Sequence, residues 1–251
     1  MNNQTLLTLL ILPGVCFLTE VAAQEQDSEL KSLTTETAKR IVDRTNAFRK
    51  ENDLPPVQPD RNLNKAANQF AGYMADSGKY GHQADGRTPS ERAKAAGYDY
   101  CIVRENIAYR SGPRPTADAL TDVFVEGWID SPGHRENMLA EYVTQTGVAV
   151  AADGNGKIYA VQLFGRPKSE AIKVRITNQS SEQQILVVSG GDSSEDFEIP
   201  PRVIVTMTRC RPVTLSLNDK SSLKVATSQA VEIFTSAVGA AELRRTDESA
   251  E

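Results

Sequence analysis

Histidine is almost missing from this chain of 251 residues: there are two, alongside one tryptophan and three cysteines. The two histidines, His82 and His134, lie far apart in the sequence. That spacing excludes the short metal motifs carried on a single helix. An excess of basic charge is also missing, with 33 acidic residues against 28 Lys and Arg and a formal net charge of -5. The balance argues against nucleic acid as a partner, because such binding rests on a basic surface. After the N-terminus no apolar run is long enough to cross a bilayer, so no transmembrane segment is expected. A Gly-x-Ser-x-Gly nucleophile elbow is absent around Ser131, the serine nearest His134.

What is present begins with an apolar run from Leu6 to Leu18, broken by Thr8 and by Pro13-Gly14 and followed by Val21-Ala22-Ala23. The run is too short to span a membrane, and the small residues after it fit a cleavage site. Residues 1–23 therefore read as a signal peptide, although Met1-Asn2-Asn3-Gln4 carries no Lys or Arg. The expected product is secreted or periplasmic and starts at Gln24. The alternative is a lipid anchor on Cys16, against which stands the bulky Val15 before it. Without Cys16, the cysteines are Cys101 and Cys210, an even pair in an exported chain and thus a disulfide candidate. Two buried thiols are the alternative reading.

Residues 24–33 are polar and acidic and read as a flexible lead-in. From Thr34 to Asn52, the spacing of Ala38, Ile41, Val42, Thr45 and Phe48 predicts a helix ended by Leu54-Pro55-Pro56. Arg61 to Ser77 carries a second apolar stripe and stops at Gly78. Thr88-Pro89-Ser90-Glu91 has the pattern of a helix start. Ile102–Tyr109 suits an extended segment, and Thr116 to Asp130 a helix with Trp128 inward. Thr144–Ala151 and Lys157–Phe164 are strands joined by Asp153-Gly154-Asn155-Gly156, a hairpin signal. Residues 34–167 are therefore read as one α+β domain. Residues 168–243 read as a small all-β module, with strands at 172–176, 185–188, 203–207 and 213–217. Residues 244–251 read as a charged, disordered tail.

Several short motifs occur in order: Thr45-Asn46-Ala47-Phe48-Arg49, Gly81-His82, Glu105-Asn106-Ile107, Trp128, Ser131-Pro132-Gly133-His134-Arg135-Glu136-Asn137-Met138, Gly147-Val148-Ala149-Val150 and Val161-Gln162-Leu163-Phe164-Gly165. Together, over about Arg40 to Pro167, they resemble the bacterial secreted CAP-superfamily (SCP) domain, the family of cysteine-rich secretory proteins, antigen 5 and pathogenesis-related protein 1. The resemblance implies an α-β-α sandwich with a three-stranded antiparallel sheet between helical layers. It also implies a cleft lined by two histidines and acidic residues, here His82, His134 and Glu105. Arg104 departs from the small residue expected before the Glu, and Ser131 stands where eukaryotic members carry a second acidic residue. Asp130 is the nearest carboxylate to that position and is a cleft candidate. Asn106 is another, with loop backbone as its alternative partner.

Two imidazoles and one carboxylate are an adequate first shell for Zn²⁺ or another divalent metal. His82, His134 and Glu105 are thus candidate metal ligands, although no cofactor is required by the sequence. The leading expectation is a non-enzymatic exported binding protein whose cleft takes a small ligand, a lipid, a cell-envelope component or a metal. The alternative is a metal-dependent hydrolase acting on peptide or cell-envelope substrates. A third reading has the trio pinning loops to the core through hydrogen bonds.

Overall fold

The computed structural model of the chain describes residues 14–113, 115–191, 193–217 and 221–246, with side chains from residue 24 onward. Most of the expected signal peptide, residues 1–13, lies outside the described residues, as does 247–251 of the expected tail.

Helix α1 runs over Gly14–Glu51. The stretch 24–33, expected as a flexible lead-in, is therefore helical. Its polarity was a poor guide, because Glu, Gln, Lys, Leu and Ala are good helix formers and no Gly or Pro occurs between residues 15 and 51. The helix ends where Asp53 adopts a left-handed φ of 57° ahead of Leu54-Pro55-Pro56. Helix α2, Arg61–Ser77, starts on Asp60, whose carboxylate accepts from the Asn62 and Leu63 amides. Helix α3, Pro89–Ala95, opens on a capping box in which Thr88 and Glu91 satisfy each other's backbone amides. Helices α4 (Ala117–Asp130) and α5 (Pro132–Leu139) follow strand β2 (Tyr100–Arg110).

Strands β3 (Gln145–Ala152) and β4 (Ile158–Pro167) form the expected hairpin, and β4 pairs antiparallel with β2. A two-residue strand β1 (Gln58–Pro59) adds a short parallel edge that the sequence did not suggest, so the sheet order is β1-β3-β4-β2. One face packs on α2 and α3 through Leu63, Phe70, Met74, Tyr159 and Leu163. The other packs on α1, α4 and α5 through Ile41, Phe124, Trp128, Met138 and Phe164. The sandwich is thus α-β-α. Gly147 lets α2 lie directly on β3, since a Cβ there would collide with the Leu63 backbone.

The C-terminal region is all-β. It comprises β5 (Ile172–Asn178), β6 (Gln184–Gly190), β7 (Ser193–Ile199), β8 (Ile204–Arg209), β9 (Val213–Leu217), β10 (Ser221–Val225), β11 (Gln229–Thr235) and β12 (Ala241–Thr246). They form two four-stranded sheets, β10-β9-β6-β7 and β12-β11-β5-β8, which share one core built on Val174, Ile176, Leu186, Leu215 and Ile233. Arg244 to Thr246, expected as part of a disordered tail, pair with Ala230 to Glu232 in β12 and β11. Strands β7, β10, β11 and β12 were not read from the sequence. Edge strand β7, Ser-Ser-Glu-Asp-Phe-Glu-Ile, is mostly exposed, so it has little hydrophobic alternation to detect.

The two parts are tied covalently. Cys101 in β2 is bonded to Cys210, just after β8, with Cα atoms 5.3 Å apart and 109 residues of separation. In the chain-entropy description a loop of this length restricts the unfolded chain by about 4–5 kcal/mol. The Lys168 amide also donates to Asp99 O, and Lys224 pairs with Glu141 at 3.4 Å. Among the described residues no helix is long and apolar enough to cross a membrane.

Candidate functional site

Strand β2 is an edge of the central sheet, and its outward carbonyls are covered by side chains rather than by another strand. Asn137 Nδ2 donates to Glu105 O at 3.1 Å. Trp128 Nε1 and the Tyr80 hydroxyl both donate to Ile107 O at 3.2 Å. These contacts draw α4, α5 and the loop after α2 to one rim of the sheet, where the two histidines meet.

Glu105 is at the centre. Its side chain is 1% exposed, with Oε1 2.8 Å from His82 Nδ1 and Oε2 2.7 Å from Arg92 Nη2. Arg92, on α3, is itself buried and donates to Asp85 Oδ1 (2.8 Å), Arg87 O (2.7 Å) and His82 O (2.9 Å). Its guanidinium carbon sits 3.5 Å from the centroid of the Phe70 ring. One arginine therefore holds the carboxylate and the backbone of the His82 loop together. With Oε1 as acceptor, the hydrogen of a neutral His82 is assigned to Nδ1, which leaves Nε2 free as an acceptor. The His82 side chain is 49% exposed, so this ring is on offer to solvent or ligand.

His134 lies across from His82, with ring centroids 6.5 Å apart. Its backbone is anchored by Asn106 Nδ2, which donates to His134 O at 3.1 Å, and Asn137 Nδ2 donates in turn to Asn106 Oδ1 at 2.9 Å. Asn106 is fully buried and serves the loop backbone. Burial, and then the proximity of His82, push the His134 pKa below its ordinary 6.5. The folded protein then binds fewer protons here than the unfolded chain. The corresponding stability is present above pH 6.5 and is lost as pH falls from 6.5 through the lower folded value. We expect His134→Gln to flatten the rise of melting temperature between acid and neutral pH. An unchanged slope would contradict the assignment. Tyr80 is shifted the other way: burial, and then Tyr109 and Glu105, hold its phenol above its ordinary pKa of 10.0 and keep it a donor.

The residues singled out by the sequence are not all brought together. His82, Glu105 and His134 converge, and Asn106 supports them. Asp130 does not: it is exposed at the end of α4, and its side chain has no hydrogen bond or ion pair among the described residues. Ser131 caps α5 without a side-chain hydrogen bond. Arg104 lies at the rim, bonded to Glu136 (2.9 Å) and Asn137 (2.8 Å). Arg92, Asp85, Tyr80 and Asn137 were missed by sequence reasoning. No local pattern distinguishes Arg92 from a solvated helix residue.

Both Glu105 oxygens are engaged, one of them by a guanidinium that would repel a neighbouring cation. Two imidazoles sharing one tetrahedral zinc would have ring centroids about 5 Å apart, given the metal–nitrogen distance; here the separation is 6.5 Å. Among the described residues no group of three or more His, Cys, Asp or Glu is arranged to hold an ion. Nor, among them, does a serine hydroxyl or cysteine thiol hydrogen-bond either imidazole, and Cys101 is committed to the disulfide.

Residues 42–164 match the model of the cysteine-rich secretory protein family, CAP. The Bacillus subtilis (strain 168) protein YkwD is 31% identical over 129 residues, 51% of this chain and 47% of that protein. The membrane protein YlbC of the same organism is 29% identical over 125 residues, 49% of this chain and 34% of that protein. The chain thus spans less than half the length of these relatives. Among solved structures, an outer surface protein of Borrelia burgdorferi is 24% identical with a TM-score of 0.47, covering 53% of this chain and 94% of that one. An extracellular SCP-domain protein of Bacillus anthracis is 25% identical with a TM-score of 0.46, covering 55% of this chain and 43% of that one. The region from residue 42 to residue 164, with its ordered motifs and its paired histidines, is a CAP-family domain followed by an all-β region.

Proposed function

We propose that this is an exported, non-enzymatic binding protein whose CAP cleft takes a small polar ligand through His82 and His134, without a metal. The observation that carries this reading is the double engagement of Glu105 by His82 Nδ1 at 2.8 Å and Arg92 Nη2 at 2.7 Å. A carboxylate so held is an orienting group for the imidazole, not a free ligand or base. Export is supported by the apolar run from Leu6 to Leu18 and by the disulfide, since such bonds persist mainly in oxidising compartments. Attachment through Cys16 is the alternative outcome of export.

Long-range ¹H–¹⁵N NMR of the two imidazoles tests the orienting role. The expected spectrum shows neutral His82 as the Nδ1–H tautomer, shifting to a mixture in Glu105→Gln. A wild-type mixture would overturn it. Calorimetry with Zn²⁺ alone tests metal independence. Wild type and the His82→Ala/His134→Ala double variant are expected to give the same titration. Stoichiometric binding seen only in wild type would restore the metal site.

A further inference from the structure

Glu105, Ile107 and Tyr109 alternate along β2 and so share one face of the sheet. Glu105 holds the cleft, Ile107 enters the core, and Tyr109 emerges at the surface. Tyr109 is 48% exposed and Tyr80, from the His82 loop, is 44% exposed. The two rings meet edge to face, with centroids 4.8 Å apart. Behind them stands the fully buried Tyr159, directly opposite Tyr109 in the strand register and 6.2 Å from it between centroids. Lys157, two residues before Tyr159 on the same face, places its ammonium 4.2 Å from the Tyr109 centroid and 5.3 Å from that of Tyr159. That ammonium has no carboxylate partner among the described residues.

The two half-exposed rings, held edge to face, present one joint aromatic surface to solvent. A ring face is electron-rich, and Tyr keeps a polar rim, so the pair suits a partner that is apolar on one side and hydroxylated on the other. A pyranose ring meets that description, because its axial C–H bonds form a positively polarised face while its hydroxyls point outward. Lys157, held over the ring faces but with no carboxylate beside it among the described residues, leaves positive charge to be matched next to the ring. From the strand rise, Tyr109 lies roughly 13 Å along β2 from Glu105. A ligand reaching both Tyr109 and His82 is therefore extended and longer than one sugar ring.

We propose that Tyr80, Tyr109 and Lys157 form a subsite for an acidic saccharide, a pyranose bearing a carboxylate, which continues into the His82 cleft. The proposal rests on the cleft being a binding site and adds the ligand's chemistry. Tyr109 stacks on the sugar, Lys157 pairs with its carboxylate, and the next residue of the chain reaches His82 Nε2.

Calorimetric titration of the full exported chain tests it with three probes: tetragalacturonate, a glycan containing N-acetylmuramic acid, and neutral chitotetraose. The two acidic probes separate a ring carboxylate from a lactyl ether carboxylate; binding of either, at least tenfold tighter than chitotetraose, is the expected result. Lys157→Gln should abolish that preference while leaving the melting temperature unchanged, and Tyr109→Leu should weaken the acidic probe at least tenfold. If Tyr109→Leu fails to fold, Lys157→Gln carries the test alone. Equal affinity for acidic and neutral probes, absence of binding, or preference retained in Lys157→Gln would overturn the proposal. Binding lost in His82→Gln but intact in Lys157→Gln and Tyr109→Leu would overturn this subsite while leaving the cleft reading in place. Binding lost in Lys157→Gln and Tyr109→Leu but unaffected by His82→Gln would overturn the link to the cleft.

Discussion

Replacing Arg92 with methionine is expected to destabilise the protein by about 3–5 kcal/mol, the usual effect of leaving one member of a buried ion pair without its partner. The cause is Glu105, whose 1%-exposed carboxylate would keep only the His82 contact. Methionine has much of the volume of arginine and can pack on Phe70, so the loss is electrostatic rather than a cavity effect. The same change frees the His82 carbonyl and the Arg87 carbonyl from their donor. A loop that carries His82 should then exchange its amides faster than in wild type. Urea unfolding measures the stability, and adding Glu105→Gln provides the control. The double variant should recover part of the loss, because the uncompensated charge is gone. A single variant within 1 kcal/mol of wild type would show that the pair contributes little to holding this site.

Arg49→Met is expected to cost roughly 3 kcal/mol or more, since hydrogen bonds from charged donors contribute about 1.5–3 kcal/mol each and are not fully additive. Arg49 is fully buried, and its guanidinium donates to Pro55 O at 2.9 Å, Met138 O at 2.7 Å and Ala140 O at 3.0 Å. The residue thus ties the end of α1 to the end of α5. Burial lowers its pKa from the ordinary arginine value. Lysine is a poor substitute, because one ammonium cannot reproduce a planar fork aimed at three carbonyls. Arg49→Lys should therefore recover less than half of the loss. Full recovery by lysine would mean that charge alone, and not the fork, is what α5 needs. Arginine is usually solvated or paired at the surface, and Arg49 departs from that. Its burial follows from three carbonyls left without partners where α1, the Pro55-Pro56 turn and α5 come together.

The elements with strong local signals were legible in the sequence. Asp60 and Gly78 bound α2 as capping rules require, Thr88 and Glu91 close the capping box of α3, and the Asp153–Gly156 turn joins β3 to β4. The all-β character of the C-terminal region was legible from strands with one buried face, such as β5 and β6. Edge strands β7 and β10 were not, because their exposed positions carry polar residues that look like loop. Polarity misled in the opposite direction at residues 24–33, where a charged segment is helical.

For the site, His82, Glu105 and His134 were marked by motif order, and the disulfide partners by cysteine parity. Those are properties of residue type and spacing, which a linear chain displays openly. Their contacts were decided only by the tertiary structure. Arg92 is 13 residues from Glu105 in sequence and belongs to a different element, yet its guanidinium donates to one of the two Glu105 oxygens. Asp130 is one residue from Ser131 but ends α4 facing solvent. Whether a carboxylate is a ligand, a base or an orienting group depends on what its two oxygens touch, and that is set by side chains brought from distant segments by packing. The sequence by itself determined which groups are available at the cleft; the fold decided that both Glu105 oxygens are engaged, that His82 is half exposed and that His134 is partly buried, because packing sets what each side chain touches.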